Sequence, residues 1–206
     1  MLRPREAGTV SSVVLAGGKA RRLGGAVKGR LEVGGVPIID RITTCLARLC
    51  DEIVIVANDP EPYDGWSGRL YPDIVPGKGS LGGIYTALTV ARTERVFVCA
   101  CDMPFVSLEL VKHLAARLGE HDAAIPHDGA RLQPLHGIFR RRVLPTLEAM
   151  VKADDLKIER FVDRIEALIC GPDELPTFGT PLEIVFFNVN TAEDLAEANR
   201  WADRVG

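Results

Sequence analysis

No apolar stretch in this sequence reaches the roughly eighteen residues that a membrane-spanning helix needs, and Met1 to Val10 lacks the apolar centre of a signal peptide. The chain is therefore expected in the cytoplasm, with no membrane partner. No charge of one sign dominates. A formal net charge of −3 argues against nucleic acid or an anionic bilayer held by bulk attraction. Five cysteines, at positions 45, 50, 99, 101 and 170, cannot all pair, and none falls in a C-x-x-C or zinc-ribbon spacing. They are expected to be reduced and mostly buried, with Cys99 and Cys101 packing on one side of a strand. Internal repeats, low-complexity tracts and linkers are absent, so the 206 residues read as a single domain, 1–206, with 1–10 as a flexible N-terminal segment. Both common phosphate-binding signatures are missing too: there is no G-x-x-x-x-G-K-[ST], and no G-x-G-x-x-G opening a helix.

A different phosphate-binding pattern is present. Val13 and Val14 lead into Leu15-Ala16-Gly17-Gly18-Lys19-Ala20-Arg21-Arg22-Leu23-Gly24-Gly25-Ala26-Val27-Lys28. Its glycines free the backbone to turn N–H groups inward, while Lys19, Arg21, Arg22 and Lys28 supply positive charge. Such a loop suits a nucleotide, and taken alone it equally suits a surface turn between a strand and a helix.

Short apolar runs alternate with helical periodicity along the rest of the chain, the pattern of an α/β fold with a mainly parallel sheet. Ile38, Ile39, Ile42, Cys45, Leu46 and Leu49 recur at helical spacing after Pro37, and Glu52 to Asn58 reads as a buried strand. Residues 59–81 form a loop with a short strand at Arg69 to Tyr71. A second glycine-rich turn, Pro76 to Gly83, follows Asp73 and leads into a helix from Ile84 to Arg92. The strand Arg95 to Cys101 delivers Asp102 to its carboxyl end, where open α/β sheets bind ligands. A carboxylate there can hold Mg²⁺ against phosphate oxygens, or cap the turn beneath it.

Ser107 is placed to cap a helix through Leu118. Ala123 to Pro126 and Leu135 to Phe139 flank a polar turn as a small β excursion, in which His127 and His136 read as structural or solvent-facing histidines. Helices are expected over 144–151 and 156–162. Leu182 to Asn190 reads as a last strand ending in Asn188 and Asn190, whose amides suit a polar heterocycle or a tie to a neighbouring loop. Thr191 and Asp194 then cap the final helix.

Four features stand in order: the L-A-G-G…R-L-G-G…K loop, the Pro76 to Gly83 turn, Cys101-Asp102-Met103-Pro104-Phe105, and Phe187-Asn188-Val189-Asn190-Thr191-Ala192-Glu193-Asp194-Leu195. This set resembles the nucleotidyltransferases, and most closely the molybdenum cofactor guanylyltransferase family known as MobA, over nearly the whole chain. The resemblance implies a Rossmann-like three-layer αβα fold and transfer of GMP from GTP to the terminal phosphate of molybdopterin, with release of pyrophosphate. It implies that Leu15, Ala16, Gly17 and Gly18 meet the nucleotide through backbone groups and that Asn58 and Asp73 lie on the base and ribose side. Lys28 and Arg22, with Lys19, would neutralise phosphates. Asp102 would hold Mg²⁺, with Mn²⁺ as a substitute, and Asn188 and Asn190 would face the molybdopterin.

Partner proteins of molybdopterin synthesis, or chaperones of molybdoenzymes, fit the same setting, with a monomer favoured. The family usually has an acidic residue where this chain has Val27, and commonly Met where it has Leu23. A cytidylyltransferase or other NTP transferase, or a non-catalytic nucleotide-binding delivery protein, is the alternative reading.

Overall fold

A computed structural model describes residues 10–17, 19–20, 25–50, 52–175 and 180–205. The first nine positions of the segment read as flexible, together with Gly18 and Arg22 of the loop, lie outside the described residues. In chain order the elements begin with β1 (Val10–Leu15), β2 (Lys19–Ala20), β3 (Ala26–Val27), β4 (Glu32–Val33), β5 (Val36–Pro37) and α1 (Ile38–Leu46). β6 (Ile53–Val56), β7 (Arg69–Tyr71), α2 (Gly79–Val90), β8 (Arg95–Ala100) and α3 (Leu108–Arg117) follow. The chain continues through β9 (Ala123–Pro126), β10 (His136–Arg140), α4 (Leu144–Lys152), α5 (Ile158–Val162) and β11 (Ala167–Cys170), and ends with α6 (Leu182–Val185) and α7 (Ala192–Val205).

Seven strands form the main sheet in the order β11-β9-β10-β8-β1-β6-β7. β10 runs against its neighbours β8 and β9, and the remaining pairs are parallel. Every residue of β1 is buried, as a strand covered on both faces requires. Its side chains alternate between two cores. Val14 joins Ile55, Phe97, Cys99 and the apolar stripes of α1 and α3 on one face. Val13 joins Val54, Val98, Leu81, Ile84 and Leu88 on the other. This is the expected three-layer αβα arrangement. Cys99 and Cys101 share the first core, and none of the five cysteines, all among the described residues, forms a disulfide.

From β1 the chain moves through α1 to β6 and β7, then returns along α2 to β8 on the opposite side of β1. β1 is thus the point where strand order reverses, and the crevice at its carboxyl end is where such sheets take ligands. Among the described residues, no helix is long and apolar enough to cross a membrane.

Several local expectations meet the structure directly. Ser107 Oγ accepts from the Leu110 N–H at 3.3 Å at the start of α3. At α7, Thr191 Oγ1 accepts from the Asp194 N–H at 3.1 Å while Asp194 Oδ2 accepts from the Thr191 N–H at 2.9 Å. The β excursion at 123–139 is present and is built into the main sheet, with β11 paired outside it.

Three expectations change. Leu182 to Asn190 is not a strand: α6 opens after Pro181, and extended structure does not follow. Ile184, Val185 and Phe186 are buried consecutively over the first core, which an alternating half-buried strand cannot do. Helix α2 starts at Gly79, not Ile84, and Gly83 lies inside it where a Cβ would stand 2.8 Å from Leu15 Cδ1. β11 was not anticipated, since this edge strand is only partly buried and carries no clean alternation.

Candidate active site

Three parallel strands deliver their carboxyl ends to one cavity of about 750 Å³, a volume in the range of small-molecule sites. β1 contributes Leu15 and, past it, Gly17; β6 contributes Val56 and then Asn58; β8 contributes Ala100 followed by Cys101 and Asp102. Because β10 is antiparallel, its amino end lies at this edge and supplies Leu135. Backbone bonds continue the ladder into the floor, from Ala16 N–H to Val56 O at 2.8 Å and from Cys101 N–H to Leu15 O at 3.0 Å. The rim opposite is the Gly77–Gly83 segment, in which Gly77 and Gly79 take φ of +79° and +56°. These left-handed angles suit glycine. They turn the chain into α2, whose first N–H groups have no intrahelical partner.

Lys28 heads a short 3-10 turn after β3 and reaches into the cavity. Its ammonium donates to Asp102 Oδ2 at 2.8 Å and to Asn190 Oδ1 at 2.6 Å. Both partners of the ion pair are mostly covered, with side chains 19% and 17% exposed. The segment bearing Asn190 is itself fixed to the strand end, since Val189 N–H donates to Asp102 O at 2.8 Å. Asn58 and Asp73 form a mutual pair: Asn58 Nδ2 donates to Asp73 Oδ2 at 2.7 Å, and Asp73 N–H donates to Asn58 Oδ1 at 2.9 Å. Both residues line the cavity.

The structure therefore brings Leu15, Gly17, Lys28, Asn58, Asp73, Asp102 and Asn188 to one cavity wall. Asn190 joins them through Lys28. Ala16 is buried behind the wall, and Asn188 Nδ2 donates to Phe186 O at 3.0 Å. Gly18 and Arg22 are outside the described residues, as is the side chain of Lys19. Leu135 and Ser80 are wall residues the sequence did not single out. Neither has a chemical signature; only strand direction and the early start of α2 put them there.

The buried Asp102 Oδ1 has no hydrogen-bond partner. A buried carboxylate oxygen without a partner is costly unless a cation meets it, and hard divalent cations are commonly held by one or two carboxylates with phosphate oxygens completing the shell. No cluster of three or more His, Cys, Asp or Glu able to hold a metal occurs among the described residues. The donor set thus fits a metal shared with a phosphate, not a cation caged by protein alone. Cys101 is no competing nucleophile. Burial, aided by the neighbouring Asp102 carboxylate, pushes its thiol up to about 12. His136 likewise takes no part: it is fully buried between the rings of Phe97 and Phe186, at centroid distances of 5.2 and 5.3 Å.

Comparison with known proteins agrees with this geometry. Residues 12–168 match the MobA-like NTP transferase domain. A molybdenum cofactor guanylyltransferase of Desulfosudis oleivorans is 32% identical over 190 residues, covering 92% of this chain and 94% of the relative. One from Vibrio atlanticus is 35% identical over 195 residues, covering 87% and 99%. The crystal structure of molybdopterin-guanine dinucleotide biosynthesis protein A from Archaeoglobus fulgidus superposes with a TM-score of 0.81 at 26% identity, covering 94% of this chain and 99% of that one. With the family match spanning most of the sequence and relatives above 30% identity covered almost in full, the chain belongs to the MobA-like NTP transferases.

Proposed function

We propose that this protein transfers GMP from GTP to the terminal phosphate of molybdopterin in the cytoplasm, releasing pyrophosphate. The observation that carries the reading is the Lys28–Asp102 pair, 2.8 Å apart, at the head of the switch-point cavity. The acceptor phosphate is already an anionic nucleophile and needs no general base. The barrier is charge repulsion and alignment, which cations and fixed geometry relieve. The Lys28 ammonium would meet the triphosphate from the cavity wall, helped by Arg22 and Lys19. The N–H groups of Gly17 and of the start of α2 would supply further positive potential. Asn58 and Asp73, locked to each other, offer their remaining polar edges to the ribose and base.

Asp102 Oδ1 is the atom that would hold Mg²⁺, or Mn²⁺ in its place. A divalent ion there supplies Lewis acidity and neutralises charge on phosphate oxygens. Asn188, on the wall beside Asp102, would face the molybdopterin together with Asn190, whose Oδ1 also steadies Lys28.

The test is a panel of GTP, ATP, CTP and UTP with molybdopterin and Mg²⁺, following pyrophosphate and the dinucleotide product. GTP-dependent release of both is expected. Turnover with CTP in preference to GTP would replace guanylyl with cytidylyl transfer, and tight nucleotide binding with no pyrophosphate would reduce the protein to a nucleotide-binding delivery role.

A further inference from the structure

Tyr63 lies in the loop after β6 and is 5% exposed. It does not line the nucleotide cavity, yet it touches both chain segments that build the cavity's cationic wall. Its hydroxyl donates to Ala16 O at 3.3 Å, immediately past the end of β1. The same oxygen lies 3.0 Å from where a Cβ on Gly29 would stand. Gly29 follows Lys28 and is buried. Its backbone also interacts with the buried thiol of Cys101, the neighbour of Asp102. Desolvation pushes the Tyr63 phenol well above its ordinary value, so it stays a donor over the working pH range.

We propose that Tyr63 is a positioning residue for the phosphate cradle. It fastens the exit of β1 to the turn that carries Lys28, so that the ammonium is already held at Asp102 before substrate arrives. The inference rests on the reading of this cavity as a triphosphate site. Such a clamp acts by pre-organisation: an ammonium already held in place meets the triphosphate without a further ordering cost on binding. It also explains the glycine at 29. Gly29 is not among the residues with positive φ, so its backbone would accept a side chain. What stands in the way is the Tyr63 hydroxyl, because the next nearest atoms, Ile39 Cβ and Tyr63 Cε1, are both at an ordinary 3.5 Å.

That geometry gives a reciprocal test with three variants: Tyr63→Phe, Gly29→Ala and the two combined. Each is measured for kcat and KM with GTP, and for the rate at which an amine-directed acylating reagent labels Lys28 in the nucleotide-free protein, read by peptide mass spectrometry. Tyr63→Phe removes one weak hydrogen bond, so KM for GTP is expected to rise by about two- to tenfold with kcat little changed. Gly29→Ala is expected to raise KM more and to speed Lys28 labelling, because the turn must move off the hydroxyl. The double variant should recover toward Tyr63→Phe in both readouts, since the obstructing oxygen is gone.

A double variant no better than Gly29→Ala, or a Gly29→Ala protein with wild-type KM and labelling, overturns the clamp. Labelling separates the two levels of the argument. If the wild type neither binds nor turns over GTP but the labelling rescue is seen, the clamp stands and the triphosphate reading falls. If GTP turnover is normal and no rescue occurs, the clamp alone falls.

Discussion

Asn190 Oδ1 accepts a 2.6 Å hydrogen bond from the Lys28 ammonium across 162 residues of chain. The lysine that the glycine loop delivers is therefore held from two sides, by Asp102 from the central strand and by Asn190 from the segment before α7. One amide thus has two candidate tasks, steadying the lysine and meeting the acceptor, and double-mutant kinetics separates them. Asn190→Ala is expected to lower kcat/KM by about 10- to 100-fold, the worth of a hydrogen bond to a charged group. Added to Lys28→Ala, it should cost nothing further. A further tenfold loss on top of Lys28→Ala would instead assign Asn190 to the acceptor directly.

Asp102 and Lys28 themselves should be indispensable to turnover, while the fold survives the loss of either. Their ion pair is short and mostly covered, so removing one partner leaves the other under-compensated and costs up to about 3–5 kcal/mol, the value for a fully buried pair. Their charges face the reacting phosphates, where removing one electrostatic stabiliser commonly costs about 100- to 1,000-fold. Asp102→Asn and Lys28→Ala are each expected to lose at least that much GTP-dependent pyrophosphate release while still unfolding in one cooperative urea transition, at a midpoint somewhat below that of the parent. A variant without a cooperative transition, or one that keeps near-normal turnover, contradicts the assignment.

The parts of this architecture legible from sequence are those written in local periodicity. The apolar run before Gly17, the helical spacing from Ile38 to Leu46, the Ser107 cap and the Thr191–Asp194 capping box each follow from residues within one or two turns of each other. What escaped depends on tertiary placement. Leu182 to Asn190 has the composition of a strand, but its three consecutive buried side chains cover the core as a short helix and a coil. Gly79 to Gly83 look like a loop by propensity and are helical, with Gly83 leaving room for Leu15 of β1. The candidate site was legible wherever it sat at a strand's carboxyl end, as Asp102 does. The bond from Asn190 to Lys28 and the packing of Tyr63 on Gly29 join segments that no sequence spacing relates.

Acid sensitivity should trace in part to His136. Burial pushes its imidazole down to about 3, against about 6.5 in an unfolded chain. Between those values the unfolded chain binds a proton that the folded one excludes. Stability is therefore fully present above about pH 6.5 and falls on acidification by up to ~1.4 kcal/mol per pH unit. His136→Leu keeps an apolar side chain between Phe97 and Phe186 and abolishes this proton uptake. Urea unfolding at pH 7 and pH 5 should show the parent losing about 2 kcal/mol more than the variant over that interval. Equal losses would mean that His136 is hydrated or partnered in solution.

Asp194 links helix capping to the site. Its Oδ2 accepts from the N–H groups of both Asn190 and Thr191, each at 2.9 Å, so one carboxylate oxygen satisfies the entry to α7 and fixes the backbone of the residue that holds Lys28. Asp194→Ala is expected to destabilise the protein by about 1–2 kcal/mol, as loss of a capping side chain does, and to raise KM for GTP as well because Asn190 loses its anchor. Thr191→Ala removes the reciprocal hydroxyl, which accepts from the Asp194 N–H at 3.1 Å, but leaves the Asp194 contact to Asn190 in place. It should lower stability by about 1 kcal/mol with little change in KM. Unfolding midpoints and GTP kinetics on the two variants decide the matter. If both raise KM in proportion to the stability they lose, Asp194 acts on the helix alone and the route through Asn190 is wrong.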